Sequence, residues 1–157
     1  DVAVENLVAL GRMPHRDRGT EAVEHAIAAL SLEELRHRPA SKLSGGEKAR
    51  ALLARVLAGE PHWILADEPL AALDLAHQIA LIRHFRQAAS QGQGVVIVLH
   101  DLATAMNHAN RVLVLREGRL VADGPPESAL TSETIAKAWG VDARWIGEPG
   151  ARALVTT

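Results

Sequence analysis

The sequence predicts an α/β fold with a parallel sheet, and three stretches carry that expectation. Trp63-Ile64-Leu65-Ala66 is an apolar run that stops at Asp67-Glu68-Pro69, the pattern of a buried strand ended by a proline. Val95 to Leu99 is a second continuous apolar run, delivering His100 at its end. Between them Leu75, Ile79, Ile82, Phe85 and Ala89 keep helical spacing up to Gly92, so strand, helix and strand succeed one another as a parallel sheet requires. Open sheets of this type hold their ligands beyond the carboxyl ends of the strands, where Asp67 and Glu68 stand. Neighbouring side chains there point to different sides. One carboxylate can serve a metal ion while the other addresses a water, a division of labour that phosphoryl transfer to water requires.

The chain has 157 residues, 48% of them hydrophobic, enough for one ordinary core. A net charge of -2 creates no general field for nucleic acid or an acidic membrane surface. With no cysteine, disulfides, thiol catalysis and thiolate metal sites are excluded. The longest apolar runs fall far short of the roughly 20 residues that span a bilayer, so a membrane role must come through a partner.

From the N-terminus, Val4, Leu7 and Val8 are spaced as one helical face up to Gly11, and residues 12–19 form a polar, turn-rich connection. Its arginines Arg12, Arg16 and Arg18 read either as a solvated loop or as a contact for a membrane subunit. Thr20 is placed to cap a helix with Val23, Ala26, Ile27 and Leu30 on one face. Ser31 and Glu34 fit a capping box for a short turn before Pro39. Leu43-Ser44-Gly45-Gly46-Glu47 then opens a helix whose expected apolar face is Ala49, Leu52, Leu53, Val56 and Leu57. Ser44 and Glu47 fit a capping box, yet two glycines in a first turn are unfavourable for a helix that needs only a cap. Their use is to bring backbone N–H groups close to an anion at the positive end of the helix dipole. Past His100, Asp101 is placed to cap the next helix. Val112 to Leu115, Glu117-Gly118 and Leu120 to Ala122 read as a hairpin, followed by short helices around Ser128 and over Ser132 to Trp139, then a mixed tail. The three tryptophans, Trp63, Trp139 and Trp145, are expected in a core or an interface.

With these residues in place the sequence resembles the ATP-binding cassette ATPases. Leu43-Ser44-Gly45-Gly46-Glu47 looks like their signature motif, Ile64-Leu65-Ala66-Asp67-Glu68-Pro69 like their Walker B strand with its catalytic glutamate, Ala71-Ala72-Leu73-Asp74 like their D-loop, and His100 like their switch histidine. Residues 115–126 look like the family's closing hairpin. Leu10-Gly11-Arg12-Met13-Pro14-His15-Arg16, His77-Gln78 and Trp139-Gly140-Val141 are most similar to importers of iron-siderophores, haem and vitamin B12.

The resemblance implies the C-terminal part of a P-loop NTPase (RecA-like) parallel sheet with a helical signature-motif subdomain: residues 1–58 for that subdomain, 59–157 for the core with its closing hairpin and C-terminal helices. It implies ATP and Mg2+ as cofactors. Asp67 would hold the metal, Glu68 would polarise the attacking water, and His100 would contact the γ-phosphate. Ser44, Gly45 and Gly46 would bind the γ-phosphate of ATP held mainly by a second ATPase subunit in a head-to-tail dimer, and Asp74 would couple the two sites. The implied partners are transmembrane permease subunits and, indirectly, a substrate-binding protein, with no nucleic acid, at the cytoplasmic face of the inner membrane. The D-loop departs from the family in having Leu70 and Ala71 where Thr and Ser are common. The chain begins at Asp1, and no Gly-x-x-x-x-Gly-Lys-Ser/Thr occurs in it. The resemblance therefore implies a longer ATPase whose preceding segment carries that loop, with this piece inactive alone. Two other readings compete: a chromosome-maintenance or DNA-repair ATPase lobe, which sustained heptads would accompany and which are absent here, and a non-catalytic regulatory half-cassette.

Overall fold

The computed structural model describes residues 1–156. Two compact units, Asp1–Val98 and Leu99–Thr157, divide the chain.

In the first unit three helices precede the strands: α1 (Val4–Ala9), α2 (Thr20–Ala29) and α3 (Gly45–Ala58), with short 3-10 turns at Leu10–His15, Glu33–Leu35 and Ala40–Lys42. Strand β1 (Trp63–Asp67), helix α4 (Leu75–Ser90) and strand β2 (Gly94–Val98) follow. The two strands pair in parallel, Trp63 opposite Gly94 and Asp67 opposite Val98, as the strand-helix-strand pattern predicts. One apolar cluster joins Val4 and Val8 of α1, Ile27 of α2, Ala51 and Ala54 of α3, Ile64 of β1, and Leu81 and Phe85 of α4. It joins the helices to the β1–β2 pair within this unit.

The buried face of α3 differs from the expected one. Ala51, Ala54 and Ala58 are fully buried, while Leu52 and Val56 are exposed. Both α1 and α2 pack on α3, and a helix approached from two sides needs small residues at the contact, because interiors are packed to the density of organic crystals. On α4 the buried residues are Leu81, Phe85 and Ala88, with Leu75 and Ile79 exposed. Likewise β1 and β2 are covered on one face only: Ile64 is 1% exposed, but Trp63 and Leu65 are 66% and 76% exposed, and Val96 and Val98 about half. Strand side chains alternate between faces, so the expectation of a fully buried strand fails on the face carrying Trp63 and Leu65.

Two local expectations also fall. Gly19, in the left-handed region, and not Thr20, precedes the first turn of α2, with no side-chain cap. Ser31 makes no cap with Glu34; it takes a positive φ of 50°, and the turn that follows has no side-chain cap.

The second unit contains α5 (Leu102–His108), an antiparallel hairpin of β3 (Val112–Arg116) and β4 (Arg119–Gly124), then α6 (Pro126–Ala129) and α7 (Ser132–Trp139). The predicted hairpin and short helices are present. The tail forms a second hairpin, β5 (Ala143–Ile146) with β6 (Ala153–Thr156). Met106, Val114 and Leu130 are the buried centre of this unit, and the Trp145 indole packs on them while donating Nε1–H to Leu130 O at 2.6 Å. Asp101 caps α5 through Ala103 and Thr104 N–H as predicted. Among the described residues no helix is long and apolar enough to cross a membrane.

Candidate functional site

Ser44 stands at the N-cap of α3 in extended backbone, and its hydroxyl accepts from Glu47 N–H at 3.3 Å while the Glu47 carboxylate accepts from Ser44 N–H at 2.7 Å. The Ser44 backbone N–H holds the Glu47 carboxyl below the usual range. The capping box is therefore real, and it also leaves the glycines open. Glu47 N–H is taken by Ser44 Oγ and Lys48 N–H by Ser44 O, so among the described residues the N–H groups of Gly45 and Gly46 are the unused donors of this helix start. A Cβ at Gly45 would meet nothing, and one at Gly46 would lie 3.1 Å from Ala72 O. The start of α3 thus lies close to Ala72, with a bare backbone at Gly45 at the positive end of a 14-residue helix.

The 68–74 segment links β1 to α4. Glu68 N–H bonds to Val98 O at 3.1 Å, which ties it to the end of β2. Its φ is +47°, a left-handed conformation unfavourable for a residue with a Cβ. Pro69 restricts it further. Non-glycine residues in such regions concentrate at functional sites. Asp67 and Glu68 are both exposed. A cavity of about 240 Å³ lies between α3 and this segment, lined on one side by Ala49, Leu52 and Leu53 and on the other by Glu68, Pro69, Ala71 and Ala72.

Asp74 is the N-cap of α4. Its Oδ1 accepts from His77 N–H at 3.0 Å and lies 2.7 Å from His77 Nδ1, and the His77 N–H holds the carboxyl below its ordinary value. Gln78, one turn on, donates from Nε2 to Leu70 O and Leu73 O at 3.0 and 3.1 Å. It pins both ends of the intervening loop.

Ser44, Gly45 and Gly46 at the start of α3, Asp67 at the end of β1, and Glu68 and Asp74 in the segment from β1 to α4 all belong to the first unit. His100 belongs to the second unit, exposed, just before α5. Among the described residues no group of three or more His, Asp or Glu forms a metal cluster. A lone carboxylate at Asp67 suits a cation such as magnesium, which keeps several waters and takes phosphate oxygens in place of a protein cage. Open N–H groups at a helix start suit a phosphate.

Two supporting residues have roles that the motifs containing them do not disclose. Gln78 carries no local signal of its loop-pinning role. Arg12, counted as part of a solvated basic cluster, is 6% exposed, and its burial is signalled only by the carboxylates Asp17 and Glu60 that face it.

Comparison with known proteins points to one family. A family pattern described as ABC transporter matches residues 3–71. The hemin import ATP-binding protein HmuV of Rhodococcus jostii is 44% identical over 138 residues, 88% of this chain and 47% of its own length. The ferric enterobactin transport ATP-binding protein FepC of Escherichia coli is 38% identical over 157 residues, 95% of this chain and 58% of its own. This chain spans about half the length of the relatives it matches. Among solved structures, an inward-facing metal-chelate type ABC transporter superposes with a TM-score of 0.82 at 27% identity, over 99% of this chain and 66% of that one. A dimeric ATP-binding cassette in a post-hydrolysis state with ADP and phosphate superposes with a TM-score of 0.70 at 26% identity, over 80% and 57%.

Proposed function

Since this chain belongs to the ABC transporter ATPase family, we propose that the whole protein is the ATP-hydrolysing subunit of an importer for an iron chelate or haem. The observation that carries this reading is the pairing, in one unit, of a capped helix start with open glycine N–H groups and a strand end presenting Asp67 and Glu68. The names of the relatives favour an iron-chelate or haem cargo and weigh against a DNA-repair lobe.

In this proposal Asp67 would hold magnesium, whose bound charge would offset the negative charge of the phosphates. Glu68 orients a water and accepts its proton, since a carboxylate is a competent base at that position. The Gly45 and Gly46 N–H groups, with Ser44, offer donors to a γ-phosphate held by a second, head-to-tail subunit, and His100 contacts that of its own subunit. Stabilising spread-out phosphate charge by fixed donors is the main task in this chemistry. Asp74, pinned beside Gln78, couples the two sites. The subdomain division at 58/59, a transmembrane permease, a substrate-binding protein and a peripheral position at the cytoplasmic membrane face belong to the same proposal.

The test is Glu68→Gln in the whole protein. An amide can hold a water but takes no proton, so turnover should fall by roughly 100-fold or more while ATP binding persists and an ATP-bound dimer accumulates. Hydrolysis at the wild-type rate would remove Glu68 from its role.

A further inference from the structure

The segment Leu10–His15 and the loop after it clamp the far end of α3. The Arg12 guanidinium is buried against it: Nη1 donates to Ala58 O at 3.1 Å and to Glu60 Oε2 at 2.6 Å, while Nε and Nη2 make a two-pronged pair with Asp17 at 2.9 and 2.7 Å. Gly19 packs closely against the arginine, so that a Cβ there would lie 2.2 Å from its Nε. Two more contacts fix the same turn. His15 Nε2 lies 2.8 Å from Gly59 O, and Gly11 approaches so closely that a Cβ there would be 2.0 Å from Arg55 O. Glu60, the carboxylate that Arg12 grips, holds a φ of +43° and forms the bend between α3 and β1.

Both halves of the proposed site leave from this bend. Upstream, α3 runs as one helix to Ser44-Gly45-Gly46. Downstream, Pro61 and His62 lead into β1 and so to Asp67-Glu68. The direction of two elements leaving a common bend is set by the geometry of the bend, and a planar guanidinium that satisfies a helix-end carbonyl and two carboxylates at once fixes that geometry in a way an ammonium cannot. We propose that Arg12 is a positioning residue for ATP hydrolysis, locking the α3–β1 bend so that the glycine donors and the Asp67-Glu68 pair keep one relative orientation. This rests on the ATPase function proposed above.

The experiment compares wild type, Arg12→Lys, Arg12→Met and the double variant Arg12→Met with Glu60→Gly, all in the whole protein, by thermal unfolding and by steady-state phosphate release over a range of ATP. The double variant removes the carboxylate left unpaired by Arg12→Met and frees the strained backbone at position 60, so it should recover melting temperature. A positioning role leaves its kcat about tenfold or more below wild type with KM for ATP within about twofold, and leaves Arg12→Lys similarly slow although its charge is kept. Recovery of kcat together with melting temperature, or wild-type kcat in Arg12→Met, would overturn the proposal. A wild-type protein without ATPase activity would instead sink the function on which it rests, and the two failures are separately visible.

Discussion

Replacing Glu68 by glycine should stabilise the protein while abolishing its proposed chemistry. A residue with a Cβ loses about 1–2 kcal/mol in the left-handed region, and Glu68 stands there with a φ of +47°. Glycine removes that penalty but surrenders about 0.5–1 kcal/mol through its freer unfolded chain, which leaves a net backbone gain of about 0–1.5 kcal/mol. For a chain of this size, roughly 2–4 °C of melting temperature accompany each kcal/mol. The expected rise is therefore about 0–6 °C. Glu68→Gln keeps the Cβ and the backbone penalty, so it should not share the gain of the glycine variant. Paired scanning calorimetry and phosphate-release assays of wild type, Glu68→Gln and Glu68→Gly separate the two effects: both variants lose turnover, and only glycine gains stability. A Glu68→Gly protein that melts below wild type would refute the claim that the site stores backbone strain.

Ser44→Arg in the whole protein should weaken ATP-driven dimerisation by roughly tenfold or more, equivalent to about 1.4 kcal/mol, because a long cation replaces a cap beside the open glycine donors; analytical ultracentrifugation with and without ATP reads this, and unchanged dimerisation would reduce the motif to a helix cap. Acidification should destabilise the fold in two stages. His84 is driven below its ordinary 6.5 by burial, so the unfolded chain gains its proton first, and stability falls as pH drops below about 6.5. The Glu47 carboxyl is lowered from 4.5, and those of Asp17 and Asp74 from 3.8, so their contribution is complete above those values and is lost as pH falls through the lowered ones; His84→Gln should erase only the first stage in a melting-temperature profile. Finally, these 157 residues by themselves should show no steady ATP turnover, since they contain no Gly-x-x-x-x-Gly-Lys-Ser/Thr loop to cradle the α- and β-phosphates; sustained phosphate release by this piece would contradict that expectation.

What the sequence discloses is uneven, for physical reasons. The capping box at Ser44-Glu47, the strand ending at Asp67 and the cap at Asp101 are local, set by residues within a few positions of one another, and all are present. The motif residues proposed for the site are legible for the same reason. Which face of a helix is buried is not local. Ranking by hydrophobicity selects Leu52 and Val56 on α3, but two packed neighbours select Ala51, Ala54 and Ala58. The burial of Arg12 is not legible because its partners are 5 and 48 positions away, and an arginine among other charged residues has no pattern that distinguishes a buried one. The β5–β6 hairpin is not legible because its strands have four residues each, too few for periodicity to register. The positive φ of Glu68 leaves no trace in composition at all.

The one-sided covering of the β1–β2 pair turns Trp63 into an optical probe. Its indole lies across Gly94, where a Cβ would come within 2.2 Å of the ring, yet two thirds of the residue faces solvent. An indole in water emits at longer wavelength than one in an apolar setting, so any polypeptide that covers this face must shift the emission to the blue and shield it from a soluble quencher such as iodide. Trp139 and Trp145 can be replaced by phenylalanine to leave a single emitter, Trp145 with the loss of its bond to Leu130. The sheet face would then report its own occupancy in real time, by titration with any added segment and without a label.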